Sequence, residues 1–261
     1  MIDPALAEYA ETPDRFAPIP EGSSVLREDD GRICIIQGPI WASISGAQFD
    51  EHELDDVLAH VHDRVAPDKR QTWWIGPTAR PANLVALLRE RGFVLAPDGP
   101  EVRAMVLTTP PPDAPSGIEV RRVETFEDFL ASRDVQWDAF DVPQERRELQ
   151  KQHLRSDFDE SMQHQVPVGF LAYLDGKPAA TGLAIPSPRG VFLIAGSTAG
   201  WARGRGAYRA LVRARWDYAV EQGTPALVTE AMVDTSYPIL QRLGFTEVCT
   251  IWRLEEIRVE A

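Results

Sequence analysis

A basic, glycine-broken run constrains this chain more than any other segment: Trp201-Ala202-Arg203-Gly204-Arg205-Gly206-Ala207-Tyr208-Arg209-Ala210-Leu211. Before it, Val191-Phe192-Leu193-Ile194-Ala195 has the apolar continuity of a buried strand. After it, Ala207, Ala210, Leu211, Ala214 and Tyr218 recur at helical spacing. The pattern predicts strand, glycine turn and helix in immediate succession. Glycine lets backbone N–H groups come close to a bound group, and the first turn of a helix carries unpaired donors at the positive end of its dipole. Phosphate is the guest such a turn suits. Arg203, Arg205, Arg209, Arg213 and Arg215 set five cations within thirteen residues of a chain whose formal net charge is −13. Charge runs are often only a solvated helix face. Glycines placed just ahead of the helix favour the anion site.

The acidic balance argues against a general nucleic-acid binder and against an anionic membrane surface as partner. Cys34 and Cys249, far apart and each inside an apolar stretch, are used as buried thiols rather than as a disulfide framework, which fits a reducing cytoplasm. No basic segment followed by an apolar run opens the chain, and no window approaches a membrane span. At 261 residues and 44% hydrophobic content, two domains of ordinary size are expected. The boundary is placed at the proline-rich segment 110–117, between a first domain over 1–109 and a second over 118–261. Residues 1–116 carry a net charge of −9 and residues 117–261 one of −4, so the basic run lies in the less acidic half.

Taken in order, residues 1–22 read as an acidic, proline-studded arm with a short helix around Leu6 to Tyr9. Asp29-Asp30-Gly31 is a hairpin turn between Val25–Arg27 and Arg32–Ile36. Leu54, Val57, Leu58, Val61 and Val65 predict a one-sided helix. His52, His60 and His62 lie among its acids, but His60 and His62 point to different faces, so no metal site is expected. A strand at Thr72–Ile75, a helix over Ala82–Arg91 capped by Gly92 and a strand at Val102–Leu107 follow. The second half opens with strand Ile118–Val123, a helix started by Thr125-Phe126-Glu127-Asp128, and another from Pro143 through Phe158. Next come a hairpin around Asp175-Gly176, the basic run, a strand Ala226–Met232, a short helix Ser236–Leu243 ending at Gly244, and a closing strand Phe245–Leu254. The order β-α-α-β-β-β-α-β-α-β predicts an α/β (α+β) fold, a mixed central sheet with helices on both faces.

With these residues in place, the second half resembles the GCN5-related N-acetyltransferase (GNAT) family. That family's acetyl-CoA motif reads Arg/Gln-x-x-Gly-x-Gly/Ala. Arg203, Gly204, Arg205, Gly206 and Ala207 match it, while Tyr208 stands where Gly or Ala is usual. Ser236-Tyr237-Pro238-Ile239-Leu240-Gln241-Arg242-Leu243-Gly244-Phe245 is similar to the family's terminal helix closing in Leu-Gly-Phe. The resemblance implies acetyl-CoA as co-substrate, no metal, and an N-acetyltransferase that moves an acetyl group to an amine on a small molecule or a protein. It implies that the strand end Ser197-Thr198-Ala199 splays from its neighbour and pairs with the pantetheine arm. The amides of Arg205, Gly206, Ala207 and Tyr208 would hold the pyrophosphate, with Arg203 adding charge-assisted bonds.

A fainter echo lies in the first half, where Trp73-Trp74-Ile75-Gly76-Pro77 precedes Leu84-Val85-Ala86-Leu87-Leu88-Arg89-Glu90-Arg91-Gly92-Phe93. It suggests a tandem arrangement with a degenerate first copy, which lacks the arginine–glycine cradle and is expected not to bind CoA. Two unrelated glycine-capped helices give the same local pattern.

Acetyl transfer needs an amine without its extra proton, a polarised thioester and a proton for the departing thiolate. Many family members place a Tyr four residues before the Leu-Gly-Phe glycine as acid; here that position is Leu240. Ser236 and Tyr237, nearby on the same helix, are the substitutes, and Glu230 is the carboxylate best placed in sequence to act as base. Asp138 and Asp141 are candidates to hold a cationic acceptor. The expected partners are acetyl-CoA and an amine, with no nucleic acid and no membrane, for a cytoplasmic monomer or homodimer. The Leu240 departure motivates a second reading, a non-catalytic acyl-CoA-binding or regulatory module. A dinucleotide loop is disfavoured because Arg209 replaces its third glycine and the sheet order is wrong for it.

Overall fold

A computed structural model describes residues 2–256 of the chain. Residues 257–261 of the expected second domain lie outside the described residues. The chain divides into two units, each built on a mixed sheet with helices.

Unit 1 begins with helix α1 (Pro4–Glu11), whose start Asp3 caps by accepting the Ala5 and Leu6 amides. Strands β1 (Leu26–Asp29) and β2 (Cys34–Gln37) form the predicted hairpin, with Gly31 at φ 85° in its turn. Strand β3 (Trp41–Ser45) pairs antiparallel with β2 and parallel with β4 (Arg70–Ile75), and α2 (Leu54–Arg64) makes the crossover between them. Helix α3 (Leu84–Glu90), β5 (Phe93–Leu95) and β6 (Glu101–Leu107) come next. The amphipathic stripe Leu54, Val57, Leu58 and Val61 packs with Ile44, Trp73, Leu84 and Leu88 in the unit's core. Each such side chain contributes about 1.5–3 kcal/mol on burial. The other sheet face takes the N-terminal arm, where Ser43 Oγ donates to Asp14 at 2.6 Å.

The chain's last strand, β12 (Thr246–Glu256), belongs to this unit rather than to the second. It runs antiparallel to β4, β5 and β6, giving the order β1-β2-β3-β4-β12-β6 with Leu254 in the unit 1 core. Residues Glu230–Gln241 group with it. The division therefore does not follow chain order at 110–117. The reason is in the ladder: β12 fills the position between β4 and β6, where Ile251 and Leu254 are buried.

Unit 2 comprises Leu107–Thr229 and Arg242–Phe245. Its strands are β7 (Ile118–Arg122), β8 (Val168–Leu174), β9 (Lys177–Ser187), β10 (Gly190–Thr198) and the first half of β11 (Leu227–Met232), in that spatial order. All neighbours are antiparallel except β10 and β11. Between β7 and β8 lie α4 (Phe126–Ala139), α5 (Gln144–Lys151) and α6 (Leu154–His164). Thr125 caps α4 as expected. The single helix expected from Pro143 is two helices, parted at Gln152 and His153.

On one sheet face Leu171 joins Phe129, Val135, Trp137, Leu154 and Phe158. On the other, Phe170 meets Tyr218 of α7 (Ala207–Glu221) at 5.8 Å between ring centroids. The proline segment is not a free spacer, because Asp113 pairs with Arg213 of α7. The short helix α8 (Ser236–Arg242) completes the order of elements.

Candidate functional site: an anion cradle at the start of α7

Strand β10 pairs parallel with β11 only over Val191–Leu193, while on its other side it stays paired with β9 out to Thr198. Between Ile194 and Ser197 the register shifts, with Ala195 at φ 53°, the mark of a bulge that re-aims the end of the strand. Ser197 is 6% exposed and its Oγ has no hydrogen-bond partner among the described residues, while Ala199 is buried and its amide returns to Ala179 O. A buried hydroxyl without a partner is uncommon and invites a bound group.

Beyond a short 3-10 turn, Gly200–Ala202, the chain swings through Gly204 at φ 74° and Gly206 at φ 89° into α7. Gly206 is the N-cap. A side chain there would be strained by that φ and would lie 2.5 Å from Pro115 Cγ. Ala210 N–H closes the first bond of the helix onto Gly206 O. The amides of Gly206, Ala207, Tyr208 and Arg209 have no acceptor among the described residues, and no acid occupies the first turn. Four unpaired donors at the positive helix end are an arrangement that an anion can satisfy. The set differs by one from the sequence expectation: Arg205 N–H is used on Ala202 O at 3.3 Å, and Arg209 supplies the fourth donor instead.

The five arginines separate into distinct roles. Arg203 is exposed and reaches only Ala139 O, at 3.4 Å; neither it nor Arg209 makes an ion pair among the described residues. Arg209 Nε is buried without a partner among the described residues. Arg205 pairs with Asp175 at 2.8 Å, and Arg213 with Asp113 and Asp217. Arg215 is wholly buried and donates to Leu211 O and Leu183 O, and that burial lowers its pKa from the ordinary guanidinium value. Helical periodicity explains the outcome: Arg215 falls on the same inward face as Leu211 and Tyr218. Arg213 and Arg215 are thus not part of the cradle.

Tyr208 does not crowd the amides. Its ring lies on Gly196, where an added Cβ would come within 2.9 Å of Cε2. The large side chain at the small-residue position is matched by the missing one on β10.

The candidate catalytic residues Glu230, Ser236 and Tyr237 belong to unit 1, whereas Ser197, Thr198, Ala199 and Arg203–Tyr208 belong to unit 2. Glu230 is partly buried and its carboxyl makes no hydrogen bond among the described residues; burial, reinforced by Asp14 and opposed by Arg253, raises that carboxyl well above the usual range. Ser236 Oγ accepts the Met232 amide at 2.9 Å and so holds the turn into α8. Tyr237 donates to Glu247 at 2.7 Å and accepts from Gln241 at 2.8 Å, and the Glu247 bond raises its hydroxyl. Leu240 is 1% exposed, an apolar anchor at the position of the family's acid. Asp138 is committed to Arg147 at 3.0 Å. His60 contacts Glu28 and His62 contacts Glu256, and no cluster of three metal-binding side chains occurs among the described residues.

No protein-family model matches the sequence, and no curated protein does. Solved structures are similar. A GCN5-related N-acetyltransferase from Kribbella flavida superposes with a TM-score of 0.71 at 17% identity, covering 97% of this chain and 96% of its own. The fold is that of the GCN5-related N-acetyltransferases. A tandem GNAT protein from the clavulanic acid biosynthesis pathway matches with a TM-score of 0.60 at 13% identity, covering 99% of this chain and 90% of its own. A GNAT from Sphaerobacter thermophilus gives 0.59 at 20% identity over 92% and 84%. Within that GNAT fold the unpaired amides of α7 stand after a bulged strand whose parallel pairing has just ended.

No helix among the described residues is long and apolar enough to cross a membrane.

Proposed function

We propose that the chain is an acetyl-CoA-dependent N-acetyltransferase whose CoA is held at the start of α7. The observation that carries this is the set of four unpaired amides, Gly206 to Arg209, together with Arg203 and Arg209, which make no ion pair among the described residues. Those amides and Arg203 would take the pyrophosphate, where hydrogen bonds to a charged group are each worth about 1.5–3 kcal/mol. Ser197 to Ala199 would meet the pantetheine arm, with the Ser197 hydroxyl supplying a partnerless polar atom.

Acetyl-CoA brings the acyl group. The acceptor nitrogen attacks the thioester carbon, the carbon–sulfur bond breaks, and the ammonium loses a proton. Glu230 is assigned as the base: a carboxyl with its pKa raised by burial takes a proton more readily at neutral pH than an ordinary one. The Tyr237 O–H is engaged by Glu247, whereas Ser236 has no acceptor for its own O–H among the described residues. The departing thiolate is therefore assigned its proton from water or through Ser236.

The tandem arrangement belongs to the same proposal. It is supported by the repeated pairings: β1 to β4 and β8 to β11 each run antiparallel, antiparallel, parallel. Leu240, buried where the family carries an acid, supports the second reading, an acyl-CoA-binding module without turnover.

A thiol-release assay across small amines and peptides separates the two. Catalysis predicts turnover with at least one amine and its loss in Glu230→Gln. CoA binding with no turnover of any amine supports the binding module. The same variant reads the raised carboxyl. Because its folded pKa lies above its unfolded one, the stability this group contributes is present below pH 4.5 and is lost as pH rises through the folded pKa. Glu230→Gln should then melt higher than the parent at pH 8, with the difference shrinking toward pH 4.

A further inference from the structure

Trp201 is the most exposed of the seven tryptophans, at 48%, and it stands two residues before the cradle. Its position is not incidental to the turn. Ala202, fully buried, anchors the 3-10 segment by donating to Ala199 O at 2.9 Å, which turns the neighbouring indole outward. The Arg205 guanidinium sits 5.8 Å from the indole centroid. On either side, Gly200 and Gly204 have nothing within 4 Å of where a Cβ would project, so the space around the turn is open.

A flat, electron-rich ring left in water beside a cation and an anion cradle suits a nucleobase attached to phosphate. Stacking on an aromatic face accepts any base, and a guanidinium strengthens it. In CoA a single ribose separates the pyrophosphate from the adenine. Resting on the proposed CoA site at α7, we propose that Trp201 is the platform on which the adenine of CoA stacks, with Arg205 bridging the indole and the phosphates. Asp175 shares that guanidinium at 2.8 Å and so competes with phosphate for it. Trp201 is thus a positioning residue for the nucleotide end of the co-substrate and has no part in the acyl chemistry.

Calorimetric titration of the full chain with CoA, adenosine 3′,5′-bisphosphate and 4′-phosphopantetheine tests this, using the parent, Trp201→Ala and Trp201→Phe. Stacking predicts that Trp201→Ala weakens CoA and the bisphosphate by about 10- to 100-fold, leaves phosphopantetheine unchanged, and is largely reversed by Trp201→Phe. Equal affinity of parent and Trp201→Ala for CoA overturns the adenine platform while leaving the CoA site intact. Equal weakening of phosphopantetheine overturns it too, since the indole would then act on the turn. If the parent binds none of the three, the CoA site itself fails and this inference with it. Melting curves of both variants confirm that a half-exposed side chain was removed without unfolding the chain.

Discussion

The two parallel crossovers, β3–α2–β4 in unit 1 and β10–α7–β11 in unit 2, share their strand order and differ at the start of the helix. In unit 2 the N-cap is Gly206, the first turn holds no acid, and four amides are unpaired. In unit 1 the turn leading into α2 is closed by its own side chains. Asp50 and Glu53 form a reciprocal capping box, with the Asp50 amide donating to Glu53 at 2.7 Å. Glu51, Asp55 and Asp56 add further negative charge. Gly46, at φ 63°, lies against the Arg15 side chain. The same crossover therefore leaves its helix amides open or caps them with side chains according to the N-cap and N3 residues. Carboxylates there satisfy the donors and repel phosphate.

The most severe way to break that comparison is to write unit 1's cap into unit 2. Gly206→Asp with Arg209→Glu places the same residue types at the same two helix positions. CoA affinity should fall by on the order of 100-fold or more, read by calorimetry, because amides and a cation are lost together. Part of the Gly206 effect is strain at φ 89°, so Arg209→Glu alone should retain a clear fraction of the loss.

Leu254→Ala sharpens the assignment of β12. The side chain is fully buried in the unit 1 core, and its truncation should cost about 2–5 kcal/mol. Hydrogen exchange should speed up at β4 and α3 before it does at β8 and β9. The reverse order would return β12 to the second unit.

Asp175→Asn is the mildest. The Arg205–Asp175 pair is exposed on both sides, and pairs of that kind are worth about 0–1 kcal/mol. Freeing Arg205 for phosphate should tighten CoA binding by less than about fivefold, with no change in melting temperature beyond a degree or so.

Much of this was legible in the residues. Apolar spacing located α2, α7 and the strands around the basic run, and Gly204 and Gly206 marked the turn that the backbone makes. Three features were not. Strand β3, Trp41–Ser45, comes after Gly38-Pro39 and alternates bulky with small side chains, so its pattern was too weak to separate from a loop. The destination of β12 is set by a ladder with β4 and β6, far earlier in the chain, which no local pattern encodes. The arginines looked alike in sequence. Arg215 turns inward under Tyr208, with Gly182 giving it room, while Arg209 contributes an unpaired amide, a difference that depends on which face of α7 meets the sheet.

The backbone amides at the two helix starts decide the central claim. With CoA added to saturation, nuclear magnetic resonance should show the amide signals of Gly206, Ala207, Tyr208 and Arg209 shifting strongly, while those of Glu51, His52 and Glu53 stay in place. Unmoved signals from Gly206 to Arg209 in the presence of bound CoA would contradict it.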